Sequence, residues 1–439
     1  PPSGGPRDTI PPQLLLSLPK DSTLNFNAKR ITLTFDEYVD LQDVQNNLLF
    51  TPTFEINPEV AVRGKNVTVR FRDSLQPNTT YILNFGNAIR DVNESNPVRD
   101  FTYVFSTGSA LDSLTLSGKV LLAESGKADS TLVVLLHRNR SDSAVIKQRP
   151  VYVARVDAAG NFRFRNLPKD TFAIYALGEA SVVRRYQDKS KQYFAFADAP
   201  VVPGAESGIT LYAYREPQQG RTSGSALPAP AKGAATTEKR LRFTPPSGDV
   251  DLQSDFILSF QTPLRRFDST QVSLSTDTTF TPAPFTSFLD TSNTKLHIRS
   301  QWKQGTAYNL ILNKAFAEDT AGRQLLKTDT LNFRTKKLSD YGQLRLRINK
   351  IDTAEGKPVV QFVQNGQVVF SAPIPSGIFT SRLFAPGDYE LRILYDKNGN
   401  GQWDPGQFFG EKRQPEIVRP VTQNITIKAD WDNEFERSL

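Results

Sequence analysis

The residues best equipped for chemistry stand together near the C-terminus: Asp396, Lys397, Asn398, Gly399, Asn400, Gly401, Gln402, Trp403 and Asp404. Oxygen-bearing side chains at the first, third, fifth and ninth positions, with Gly at the sixth, are what a loop of the EF-hand type uses to wrap Ca²⁺. The Gly permits the sharp turn, and Gln402 at the seventh position offers its backbone carbonyl. The candidate ligands of a structural calcium ion are therefore Asp396, Asn398, Asn400, Gln402 and Asp404. The bidentate Glu that closes such a loop at position twelve is missing; Gln407 stands there, and Glu411 lies four residues on. The competing reading is a cation-free turn of Asx and Gly residues that tucks Trp403 into its domain. The corresponding region of the earlier half, Gly178 to Ser181, lacks the pattern, so any ion belongs to the last domain alone.

Other chemistry is poorly supplied. The chain has no Cys, which excludes disulfides, thiolate nucleophiles and Cys-based metal sites. Its two histidines, His137 and His297, stand in strand-like apolar contexts without a second His at ligand spacing. Asp36 with Glu37, and Glu318 with Asp319, are adjacent, so on a strand they point to opposite faces and make poor acid–base pairs. No nucleophile elbow is present. Gly4 and Gly5 lack the strand-to-helix context of a phosphate loop. No catalytic residue and no enzymatic activity are expected.

The net charge is +7, but the basic residues are scattered. Arg70 with Arg72, Arg163 with Arg165, and Arg345 with Arg347 sit at alternate positions, which puts each pair on one solvated strand face. A nucleic-acid partner would need a concentrated basic stripe with interleaved aromatics, and none is present. Trp302, Trp403 and Trp431 are the candidates for stacking on a sugar.

The elements that position these residues are strands. Ile31, Leu33 and Phe35 alternate with threonines; Val67, Val69 and Phe71 repeat the pattern; Phe101, Tyr103 and Phe105 do so again. Period-two runs broken by Gly, Pro and Asn turns predict half-buried strands of β-sandwiches. The pattern also repeats. From Phe35 to Tyr81 is 46 residues and from Phe260 to Tyr308 is 48; from Tyr81 to Phe105 is 24 and from Tyr308 to Phe333 is 25. A second texture repeats as well: Asn166-Leu167-Pro168 through Phe172 finds its match in Leu383 through Tyr389. The expected architecture is all-β, four sandwiches in two halves. Residues 1–7 are a Pro/Gly tether, 8–110 an Ig-like domain, 111–215 a transthyretin-like sandwich, 216–240 a flexible linker, 241–338 a second Ig-like domain and 339–439 a second transthyretin-like sandwich. The linker, rich in Pro, Gly, Ala, Ser and Thr, cannot bury enough surface to offset its ordering entropy.

The Ig-like units resemble the bacterial domains named after the S-layer protein SbsA. The residues that carry this are Asp8-Thr9-Ile10-Pro11-Pro12, the strand at Leu33 to Phe35, and Asn78 to Asp91. The alternate units resemble transthyretin- or carboxypeptidase-regulatory-like modules through Gly160 to Pro168 and Ala385 to Ile393. The chain as a whole is similar to Ig-like-domain lipoproteins of Bacteroidota outer membranes. That resemblance implies export and a lipid on a Cys preceding residue 1, in keeping with the Pro/Gly tether. It also implies attachment to the outer membrane, at the cell surface or on the periplasmic face. The partner it implies is an outer-membrane β-barrel protein or complex, with barrel-assembly machinery as the preferred instance. A glycan-binding or adhesive module is the alternative.

Overall fold

The computed structural model describes residues 8–178, 184–205, 208–217, 240–276 and 279–439. The tether at 1–7 and most of the expected linker, 218–239, lie outside the described residues, as do 179–181 of the earlier half's Gly178 to Ser181 region. Strands hold 47% of the chain and helices 3%, so the protein is all-β.

In the first unit, Leu14–Leu18, Arg30–Phe35, Asn66–Arg70 and Glu59–Arg63 form one sheet in that spatial order. Leu49–Thr51, Thr80–Gly86 and Phe101–Ser106 form the facing sheet. The alternation in the sequence becomes alternation in burial: Ile31, Leu33 and Phe35 are wholly buried while the threonines between them are not. Each such side chain contributes roughly 1.5–3 kcal/mol by leaving water. In place of an inter-sheet disulfide the core carries an aromatic stack, with Phe54 over Tyr81 at 5.3 Å and Tyr81 over Phe105 at 5.2 Å.

The same sheet order returns after the linker. Phe243–Thr244, Phe256–Phe260, Lys295–Arg299 and Thr286–Leu289 make one sheet; Val272–Thr276, Ala307–Leu312 and Asp329–Arg334 make the other. The later copy adds one short strand, Thr281–Pro282, beside Val272–Thr276. The repeat extends to single hydrogen bonds. Tyr81 accepts the amide of Gln76 on its hydroxyl at 2.8 Å, and Tyr308 accepts that of Lys303 at 3.1 Å. Thr107 and Thr335 each accept an amide on their hydroxyls, from Thr79 and Thr306, both at 3.0 Å.

The alternate units share a different topology. In the earlier one, Asn161–Leu167, Leu114–Leu122 and Ile209–Ala213 form a sheet whose first and last strands in sequence pair in parallel. In the later one, Ile378–Phe384, Gly342–Asn349 and Asp432–Ser438 do the same. A parallel pair cannot be closed by a hairpin, so these sheets are complete only when each unit's last strand returns to its first. The second sheets correspond too: Tyr152–Arg155, Val133–His137, Ala173–Leu177 and Phe194–Phe196 against Gln367–Pro373, Lys357–Gln364, Gly387–Asp396 and Ile417–Pro420.

The four sandwiches read from the sequence are not independent of one another: one apolar cluster crosses unit boundaries. It contains Leu49 of the first unit, Leu135, Tyr175, Phe194 and Tyr214 of the second, and Phe408 of the last. The continuous apolar run through Leu132–Leu136 is the reason: its strand is buried on both faces, and the second face is covered partly by its own unit, through Val145 and Tyr186, and partly by Phe408 of the last.

Candidate functional site

The strand Gly387–Asp396 ends at the loop that carries the candidate ligands. Asp396 is buried at its head, and its two carboxylate oxygens accept the amides of Gly399 at 2.5 Å and Gly401 at 2.7 Å. Gly401 sits at φ 75°, a conformation glycine adopts without penalty. Asn398 and Asn400 then form a chain of Asx turns, their carbonyl oxygens taking the amides of Asn400 and Gln402 at 2.9 and 2.6 Å. Their amide groups donate to one carboxylate oxygen of Asp404 at 2.6 and 2.8 Å.

Three of the five candidate ligands, Asn398, Asn400 and Asp404, thus meet through their side chains, while Asp396 holds two glycine amides and Gln402 contributes its amide. The loop is closed by its own hydrogen bonds: Asp404 faces amide hydrogens of the two asparagines, where calcium would need their oxygens. Gln407, at the closing position, forms a two-way main-chain bridge with Arg413, both bonds 2.8 Å, and its side-chain amide donates to the carbonyl of Phe409. The donor types suit a hard cation, but the set as arranged falls short of the six to eight oxygens calcium takes.

Glu416 is the residue that sequence spacing missed. It stands just before the strand Ile417–Pro420, and its two carboxylate oxygens accept the amides of Lys397 at 2.7 Å and Asp404 at 3.0 Å. Its amide donates to the carbonyl of Asp404, and its carbonyl accepts the indole N–H of Trp403 at 2.8 Å. Burial raises its pKa, and the neighbouring charges of Asp396 and Asp404 raise it further. No motif spacing could have found it, because it reaches the loop only after the Gln407–Arg413 excursion.

That excursion carries the function of the loop. It projects Phe408 and Phe409 onto the second unit. Phe408 is 1% exposed and meets Phe194 and Phe196 at 5.0 Å each and Tyr175 at 5.7 Å. Phe409 stacks on Tyr186. Gly406 lies so close to Tyr214 that a Cβ there would come within 2.7 Å of its ring. Around this aromatic centre runs a polar rim. Gln414 donates to the carbonyl of Phe196 at 3.0 Å and to Asp198 at 2.9 Å. Lys127 pairs with Glu390 and Lys412 with Asp142. The amide of Val418 donates to the carbonyl of Ala123 at 2.9 Å. A buried aromatic core inside a hydrogen-bonded rim is the anatomy of a stable protein interface, here formed within one chain. A smaller joint ties the first two units: Thr53 donates its amide to the carbonyl of Val151 at 2.9 Å, and Arg149 donates to the carbonyls of Phe54 and Glu55.

The remaining candidates have structural partners. Trp302 is buried and donates to the carbonyl of Ser254; Trp403 packs inside the joint; Trp431 alone is open, 62% exposed, with Lys428 over its ring. His137 lies buried edge-on to Tyr175. His297 faces Asp255, which also holds Arg299. Asp319 is buried among the amides of Ala321 and Arg323, while Glu318 pairs outward with Arg265. Among the described residues, no cluster of three His or acidic side chains could hold a metal, and no helix is long and apolar enough to cross a membrane.

Residues 8–107 match the bacterial Ig-like domain family, which places the first unit in that class of domain. No curated protein matches the chain. Among solved structures, the S-layer protein SbsC is 11% identical, with 98% of this chain and 54% of that one covered at a TM-score of 0.18. The TIE protein of Bacillus anthracis is also 11% identical, over 100% of this chain and 75% of that one, at 0.19. The major pilin subunit BcpA of Bacillus cereus is 9% identical, over 74% and 98%, at 0.17. The chain spans about half the length of the S-layer structure, 54% of it. Likeness at this level carries no functional inference.

Proposed function

We propose that this chain is a non-enzymatic scaffold, lipid-anchored at the outer membrane, that works by binding another protein. The partner is an outer-membrane β-barrel protein or its assembly machinery. The observation that carries this reading is the joint at Phe408. The loop with the composition of a chemical site is spent on holding the last unit against the second. A chain whose sandwiches are clamped together gains a fixed surface for a partner, which lowers the ordering cost of binding.

The test is affinity purification from native membranes in mild detergent, read by mass spectrometry. Stoichiometric recovery of a barrel protein is expected; recovery of the chain alone under several detergents would end the proposal. The glycan-binding alternative rests on Trp431, the one exposed tryptophan. A glycan array with wild type and Trp431→Ala decides it.

A further inference from the structure

Between the first and second units lies a cleft of about 1310 Å³ that nothing above uses. One wall is the outer face of the strands Thr80–Gly86 and Phe101–Ser106, presenting Ile82, Asn84, Thr102 and Val104. The other is the outer face of Asn161–Leu167, Leu114–Leu122 and Ile209–Ala213. Phe162 and Phe164 point into the second unit's core, so Arg163 and Arg165 point into the cleft. Register places Ser117 opposite Arg163 and Lys119 opposite Asn161, which brings Lys119 onto the same face. Arg155 lies at the base, its guanidinium against Gly86 of the first unit.

Lys119, Arg163 and Arg165 line the open part of the cleft, where the acids are Asp100 and Asp157; Arg155, at the base, lies within electrostatic reach of Asp100 and Asp43. Asp157 is spent on its own turn, accepting the amides of Ala159 and Asn161 at 2.9 and 2.8 Å. Arg163, Arg165 and Lys119 form no ion pair or side-chain hydrogen bond with any described residue. A cleft whose unpaired charges are of one sign concentrates counter-ions of the other sign.

The geometry points to this cleft as a docking slot for an extended acidic peptide segment of a partner protein. The inference rests on the protein-contact reading above and names the chemistry of the contact. Arg163 and Arg165, two residues apart along a strand, are spaced roughly 6.6 Å, the repeat of same-face side chains on an extended peptide. Guanidinium groups pair bidentately with carboxylates. Ile82 and Val104 on the facing wall offer apolar contact to the alternate side chains, while Asn84 and Thr102 can bond its backbone. Nucleic acid and sugar are disfavoured because the lining has no open aromatic for stacking: Tyr152, Phe162 and Phe164 are buried.

The test uses the full chain and a fluorescein-labelled decapeptide alternating Glu and Val, with a Lys–Val decapeptide as control. Saturable binding of the acidic peptide, weakened by salt, is expected by fluorescence anisotropy. Arg163→Glu with Arg165→Glu should weaken it about tenfold or more, the worth of one charge-assisted hydrogen bond. Both arginines are exposed, so the variant's melting temperature should match wild type. Failure of the acidic peptide to bind, equal affinity in the variant, or equal displacement by inorganic phosphate would overturn the slot. The same variant carried through the membrane purification separates the two proposals. If it still recovers the barrel partner while the peptide fails, the slot falls and the protein-contact reading stands. If wild type recovers no partner, that reading falls.

Discussion

The ring of Phe408 meets that of Phe194 edge to face at 5.0 Å, across the whole span of chain that separates the last unit from the second. Neither residue sits in a motif, and both belong to one apolar cluster that the two units share. Phe408→Ala should cost roughly 3 kcal/mol or more by cavity formation. It should also split calorimetric unfolding into separate transitions for the two halves. A single unchanged transition would show that the joint does not couple them.

Gly126 tests the same joint from the opposite side. It stands at φ 67°, and a Cβ there would come within 2.5 Å of Pro420 and of the Val418 carbonyl. Gly126→Ala combines backbone strain with a clash at the interface. The radius of gyration by small-angle scattering should rise while circular dichroism keeps its β signature. An unchanged radius would place the contact outside the solution structure.

The loop beneath Phe408 should hold without calcium. Glu416 ties Lys397 and Asp404 together, and the asparagine amides close onto Asp404. Excess EDTA should leave the melting temperature of the full chain unchanged, whereas Glu416→Ala, which orphans two amides, should cost about 1–3 kcal/mol. A fall in melting temperature with EDTA that calcium reverses would assign the ion to Asp396, Asn398, Asn400, Gln402 and Asp404.

His137 supplies a pH dependence. Burial lowers its pKa to about 4 from an ordinary 6.5. Between those values the unfolded chain binds a proton that the folded chain refuses. The contribution is therefore fully present above pH 6.5 and is lost as pH falls toward 4, by up to about 1.4 kcal/mol per pH unit. The urea midpoint of wild type should fall more between pH 7 and pH 5 than that of His137→Leu. Equal falls would refute the assignment.

Tyr81 and Tyr308 do one job twice, each hydroxyl fixing the amide five residues upstream. Tyr→Phe at either should cost about 1 kcal/mol. The double variant should be additive, because the pairs share no partner. Denaturant titration of the four proteins checks both statements.

Much of the fold is legible in the residues themselves. Period-two burial follows from strand geometry, so Ile31, Leu33 and Phe35 declare their inward face. The twin spacings of Phe, Tyr and Phe declare the repeat. Local turn chemistry is equally visible, since an Asx side chain acts on backbone within a few residues and Gly permits the turn, as in Asp396 to Gly401. The arginines at 163 and 165 declare a shared face, though not what the face looks onto.

What the sequence determined by itself is everything set by neighbours along the chain: strand, turn, inward row and duplicated unit. Only the tertiary structure decided which faces stay open. Glu416 reaches Asp404, Phe408 fills the socket of Tyr175, Phe194 and Phe196, and the cleft of Arg163 opens toward Ile82. Each of these depends on how separately folded surfaces come to rest on one another. Apolar burial, which drives that docking, is non-directional, so an inward row marked by its period does not say which other surface comes to cover an outer face.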